Sequence, residues 1–183
     1  SLYRQANYEA LDIARGQISQ ADALYEIAYQ DFLLRVSERY FLVLTLIDGV
    51  TFAEAEEKAF QRQFEQAEQR FEVGLTAVTD VHEARATYDN ARARAIVARN
   101  NLEDAKEALR ELTGQYFEEF DALQEVLPLV EPDPIDADEW VNIALQSNPS
   151  VLSSRAAVDV ADANMRLARA GHFPTLDLVG SHN

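Results

Sequence analysis

The sequence predicts an all-α protein: a long antiparallel coiled-coil helical hairpin, then short helices, then the first residues of a strand. Three observations predict it. All five prolines, Pro128, Pro132, Pro134, Pro149 and Pro174, fall in the last third of the 183 residues, and the first 127 contain none. The glycines of that proline-free tract are only Gly16, Gly49, Gly74 and Gly114, in a background of Ala, Glu, Gln, Arg and Leu that suits long helices. Apolar residues recur there at alternating steps of three and four, the 3.5-residue period of a left-handed supercoil seam.

The first arm is expected from about Asn7 to Phe71, on the order of 100 Å if unbroken. Its seam reads Val43, Leu46, Val50, Ala53, Glu57, Phe60, Phe64, Ala67 and Phe71, and only Glu57 is polar. A polar seam residue commonly faces water or a neighbouring Arg. Upstream, Phe32, Leu33, Leu34, Val36, Tyr40, Phe41, Val43 and Leu44 cover more than one face, which suits a helix with two neighbours. The turn is expected at residues 72–80. Gly74 can take positive φ and end the first helix. Thr79 or Asp80 can cap the second.

The return arm is expected from about Asp80 to Leu112. Its seam, Val81, Ala84, Tyr88, Ala91, Ala95, Ala98, Leu102, Ala105, Leu109 and Leu112, is apolar or aromatic at all ten positions. The many alanines allow close helix approach. The arm ends near Gly114 and can resume through Gln115, Tyr116 and Phe117 toward Leu123. Residues 127–136 read as an extended linker. Asp136-Ala-Asp-Glu139 is a capping box opening a short helix through about Ser147, which Asn148-Pro149 ends. A further helix follows from Pro149 to Ala170, with Gly171 as its stop. Alternation at Thr175, Leu176, Asp177 and Leu178 opens a strand. The domains are therefore expected at 1–126 (hairpin), 127–173 (linker and short helices) and 174–183 (strand start).

Composition narrows function. Sixteen Lys and Arg against 32 Asp and Glu leave a formal net charge of −16, which argues against nucleic acid, because phosphate binding needs clustered cations. Without cysteine there is no disulfide framework, thiolate metal site or Cys nucleophile. No apolar run reaches the roughly 18 residues a membrane-spanning helix needs. The chain begins at Ser1, its only methionine is Met165, and it has no signal peptide, so it reads as an excised or processed piece of a larger protein. His82, His172 and His182 lie far apart, and no nucleophile, metal or phosphate-binding motif is present. The carboxylates read as solvated coiled-coil surface and Tyr88 as packing. No enzyme activity, cofactor or metal is expected. The tip is different: a plain turn needs only Gly74 and a cap, yet Val73, Leu75, Ala77 and Val78 set apolar groups at an exposed end, which suits docking.

The segment Arg70-Phe-Glu-Val-Gly-Leu-Thr-Ala-Val-Thr-Asp-Val81 resembles the hairpin tip of the TolC-like outer-membrane efflux protein family. Ala98 to Gly114 is similar to the family's return arm, Ala144 to Val151 to its repeat-opening motif, and Ala168 to Leu178 to its lead-in to a barrel strand. The order matches too, over nearly the whole chain. The resemblance implies a trimer of two-repeat protomers, with a β-barrel in the outer membrane of a Gram-negative bacterium and an α-helical barrel across the periplasm. Short helices would form a belt around that tunnel. This chain would hold the first repeat's periplasmic hairpin, part of that equatorial belt and the start of the second repeat, with Ser1 to Gln5 just after one membrane strand and Pro174 onward entering the next. It implies an exit duct for drug efflux and type I secretion, joined through a periplasmic adaptor to an inner-membrane transporter. By position, Val73, Gly74, Leu75 and Thr76 would contact the adaptor. Thr79 and Asp80 would help hold the closed entrance, through a Tyr and an Arg on a neighbouring tip. A ring of carboxylates at a narrow mouth would favour cations. The rival reading is a coiled-coil adaptor or scaffold without a channel. A lipid-binding amphipathic helix fits poorly, since such helices favour basic polar faces.

Overall fold

The computed structural model describes residues 3–121, 123 and 130–177. Among them are four helices and no strand: α1 (Gln5–Glu72), α2 (Val78–Thr113), α3 (Ala137–Ser147) and α4 (Pro149–Ala170). The chain forms two compact units, one of Ser1–Phe32 with Leu127–Asn183 and one of Leu33–Val126. The first part of α1 thus belongs to one unit and the rest to the other.

In the unit of residues 33–126, α1 and α2 pair along the expected seams. All ten α2 seam positions are buried or half-buried, with Ala91, Ala95, Ala105 and Leu109 fully so. On α1, Val43 is completely buried and the seam continues half-buried to Ala67, while Phe71 at its end is exposed. Val43, Ala105 and Leu109 centre the core, with Val36, Tyr40, Leu46, Ile47, Leu102 and Phe120 packed on them. Phe64 stacks on Tyr88 with ring centroids 6.1 Å apart. The polar seam residue Glu57 meets an arginine of its own hairpin. Arg99 bonds Glu54 at 2.9 Å and Glu57 at 3.5 Å, and Arg94 bonds Glu56 at 3.0 Å. These pairs straddle the seam and hold its register. Upstream, Val36 and Tyr40 are half-buried, while Leu33, Leu34, Phe41 and Leu42 are exposed.

Past α2 the helix does not resume through Gln115, Tyr116 and Phe117, contrary to expectation. Gly114 sits at φ +70° and gives its N–H to Arg110 O, a left-handed stop that turns the chain out of the helix. Phe120 then packs on Tyr40 at 5.8 Å, and the Tyr40 hydroxyl bonds Asp121 O at 3.3 Å. Tyr40 and Phe120, both half-buried, cover each other where another helical turn was expected.

In the other unit, the first part of α1 packs on α4 through small residues. A methyl added at Gly16 would lie 2.7 Å from Val160 Cγ2. Ala23, Ser153, Ala156, Ala163 and Ala170 are buried. Glu9, only 7% exposed, accepts from Arg166 at 2.8 Å and from Gln5 at 2.7 Å. Those bonds hold the Glu9 carboxyl below its usual range, the Arg166 bond contributing most. Asp136 caps α3 as expected, its side chain accepting from Asp138 N. Asn148 ends α3 and caps α4 through the N–H groups of Ser150 and Val151, with Pro149 at the first position. No residue of α3 is buried. Of the expected strand, residues 178–183 lie outside the described residues. Leu176 makes an isolated antiparallel bridge with Tyr3, whose two backbone bonds measure 3.0 and 3.1 Å.

Candidate functional site

The tip between α1 and α2 assembles all the residues singled out from the sequence. Gly74 takes φ +73°. Its N–H bonds Phe71 O at 2.9 Å, and the Leu75 N–H bonds Arg70 O at 2.8 Å. That pair of bonds is a Schellman motif, which satisfies the last carbonyls of α1 and needs a residue free of Cβ strain at Gly74. The motif is commonly closed by an apolar contact from the residue after the glycine back to the last turn. Here that last turn offers Arg70, and Leu75 stays 73% exposed, beside Val73 at 68%.

Thr79 and Asp80 do not cap α2 in the expected way. The helix begins two residues earlier, at Val78, with Ala77 as its N-cap and no capping bond from the Ala77 side chain. Thr79 and Asp80 therefore lie inside the first turn. Asp80 reaches back instead: its carboxylate accepts from the Thr76 hydroxyl, with a longer contact from Thr79 Oγ1 at 3.4 Å. The Thr76 bond, then the Ala77 bond, hold the Asp80 carboxyl below its usual range. Negative charge at a helix N-terminus is favourable in its own right. Thr76 is only half-exposed, while Thr79 and Asp80 are exposed.

The expectations missed the partnership of Thr76 with Asp80, because Thr79 is as good an N-cap type as any and drew the helix start to itself. They also missed Arg70, which with Gln63, Gln66, Thr76, Asp80 and Glu83 lines a polar cleft of about 470 Å³ under the tip. Among the described residues no group of three or more His, Cys, Asp or Glu could hold a metal ion. Nor, among the described residues, is any helix long and apolar enough to cross a membrane.

The chain matches the family model described as outer membrane efflux protein over residues 3–115 and 140–183. It is 40% identical over 182 residues to the outer membrane protein TolC of Vibrio cholerae, covering 100% of this chain and 42% of that protein. To the outer membrane protein TolC of Escherichia coli it is 38% identical, over 99% of this chain and 36% of that one. To the alkaline protease secretion protein AprF of Pseudomonas aeruginosa it is 32% identical, over 96% of this chain and 37% of that protein. The chain thus spans about two fifths of the length of these relatives.

Proposed function

The chain belongs to the outer membrane efflux protein family, and from that premise we propose that it is the periplasmic part of a trimeric outer-membrane exit duct for drug efflux and type I secretion. In this reading the hairpin tip docks a periplasmic adaptor. The observation that carries the docking is the bare apolar end: Leu75 is offered outward by a motif that usually folds that side chain back. Val73, Gly74, Leu75 and Thr76 make the contact, tip to tip with a helical hairpin of the adaptor. The duct is passive, and an inner-membrane transporter joined through the adaptor supplies energy and substrate choice. No covalent chemistry is assigned to this chain.

Thr79 and Asp80 serve the entrance gate, where Asp80 accepts from donors on a neighbouring tip. The exposed apolar residues Leu33, Leu34, Phe41 and Leu42 suit a lateral neighbour in the trimer. The same reading puts residues 127–173 in the equatorial belt and residues 174–183 at the start of a barrel strand.

The test is Leu75→Cys in the full-length parent, oxidised against single cysteines placed along the adaptor's hairpin. Cross-links confined to the adaptor's tip support docking. Cross-links elsewhere on the adaptor, or none, return the hairpin to a scaffold role.

A further inference from the structure

The tip carries one side-chain bond that helix capping does not need. Capping an N-terminus means giving its free N–H groups acceptors. The Asp80 carboxylate serves this end by its position at the helix start, where the Ala77 backbone favours its ionised form. The Thr76 hydroxyl donates to the same carboxylate, a bond that satisfies none of those N–H groups. It is turned inward at a tip whose neighbours Val73 and Leu75 are bare. Its effect is to restrict the Asp80 side chain from a second direction. An ionised carboxylate has about four lone-pair positions. Thr76, Ala77 and the long contact from Thr79 leave room for a further donor from outside.

We propose that Thr76 is a positioning residue for Asp80: its hydroxyl fixes the carboxylate over the first turn of α2, so that Asp80 meets a donor on a neighbouring chain already oriented. This rests on the reading of Asp80 as a gate residue. A pre-oriented acceptor loses less rotamer freedom when the bond between chains forms. Removing the hydroxyl therefore weakens the closed state without removing the charge.

The experiment compares Asp80→Asn, Thr76→Val and Thr76→Ser in the full-length trimer. Conductance of the closed channel is read in planar bilayers, and hydrogen exchange is followed in the first turn of α2. Asp80→Asn raises conductance. Thr76→Val raises it less and speeds exchange of that turn by about fivefold. Thr76→Ser, which keeps the hydroxyl, matches the wild type in both. If Asp80→Asn opens the channel and Thr76→Val leaves it closed, the positioning role is wrong and the gate stands. If Asp80→Asn has no effect, the gate reading fails, and exchange decides the rest: faster exchange in Thr76→Val alone keeps Thr76 as the residue that holds Asp80. Unchanged exchange, or equal change in Thr76→Ser, overturns it.

Discussion

The hairpin shaft and the packing of α1 on α4 bring two long helices together by different means. In the shaft, larger side chains join the buried alanines on a 3.5-residue seam: Val43 and Leu109 are buried with Ala91, Ala95 and Ala105, and Phe64 stacks on Tyr88. Arg94 and Arg99 bridge to the opposite helix, Arg99 reaching Glu57 on the seam itself. In the other unit the contact is made by what is missing. Gly16 admits Val160, and Ala23, Ala156, Ala163 and Ala170 leave little side chain between the helices. The shaft adds larger buried side chains to its alanines, while the other contact rests on close approach plus Arg166, which pairs with the buried Glu9 and, at 3.7 Å, with Asp12. Regions built so differently fail in different ways.

The largest expected effect is in the shaft. Leu109→Ala removes a side chain that is 2% exposed and leaves a cavity, at a cost of about 3 kcal/mol. Hydrogen exchange resolved by segment should show the loss in residues 33–126, with the α1–α4 contact keeping its protection. Equal loss in both would mean that they open together.

Gly16→Val is the matching insult to the other unit. Its β-carbon alone falls within 2.7 Å of Val160 Cγ2, so Val160 or the helix that carries it must shift, at a cost of about 2 kcal/mol. The companion Gly49→Val, where nothing lies within 4 Å, should be nearly neutral. If the two variants behave alike by thermal denaturation, the close approach at Gly16 is not what holds that contact.

The smallest effect sharpens the comparison through pH. Arg166 and Gln5 bind the ionised form of Glu9, so its carboxyl titrates lower folded than unfolded. The stability it contributes is therefore full above the ordinary glutamate value and is lost as pH falls through the lowered folded value. Arg166→Gln should flatten that acid response in the exchange of α4 and the first turns of α1. The apolar seam around Val43 and Leu109 should respond to the same variant little or not at all.

How much of this was readable beforehand follows from the same contrast. A period of 3.5 is written in side-chain types, so the α2 seam from Val81 to Leu112 could be counted off residue by residue and every position is covered. Gly74 as the turn and Asn148-Pro149 as the end of α3 are local too, because a positive φ and a proline act on the nearest few residues; that Asn148 also caps α4 came only with the structure. The same local signals misplaced the start of α2. Thr79 and Asp80 are both good caps, and Asp80 acts from inside the helix only because Thr76 and Ala77 come within its reach. Small residues gave no warning of the α1–α4 contact, since an alanine reads the same facing a helix or facing water.

The sequence by itself determined that this is a proline-free helical hairpin with an apolar tip, since periodicity, breakers and caps are all short-range. Only the tertiary structure decided that Gly16 is a point of contact while Gly49 is open, that Phe120 returns to Tyr40 where another helical turn was expected, and that Thr76 holds Asp80. Gly16 and Phe120 depend on segments far apart in the chain arriving at one place, and the Thr76 bond depends on which residue starts α2. Packing settles the first two, which neighbouring residues in the sequence do not encode; the Thr76 bond is local, four residues long, and follows from where α2 starts.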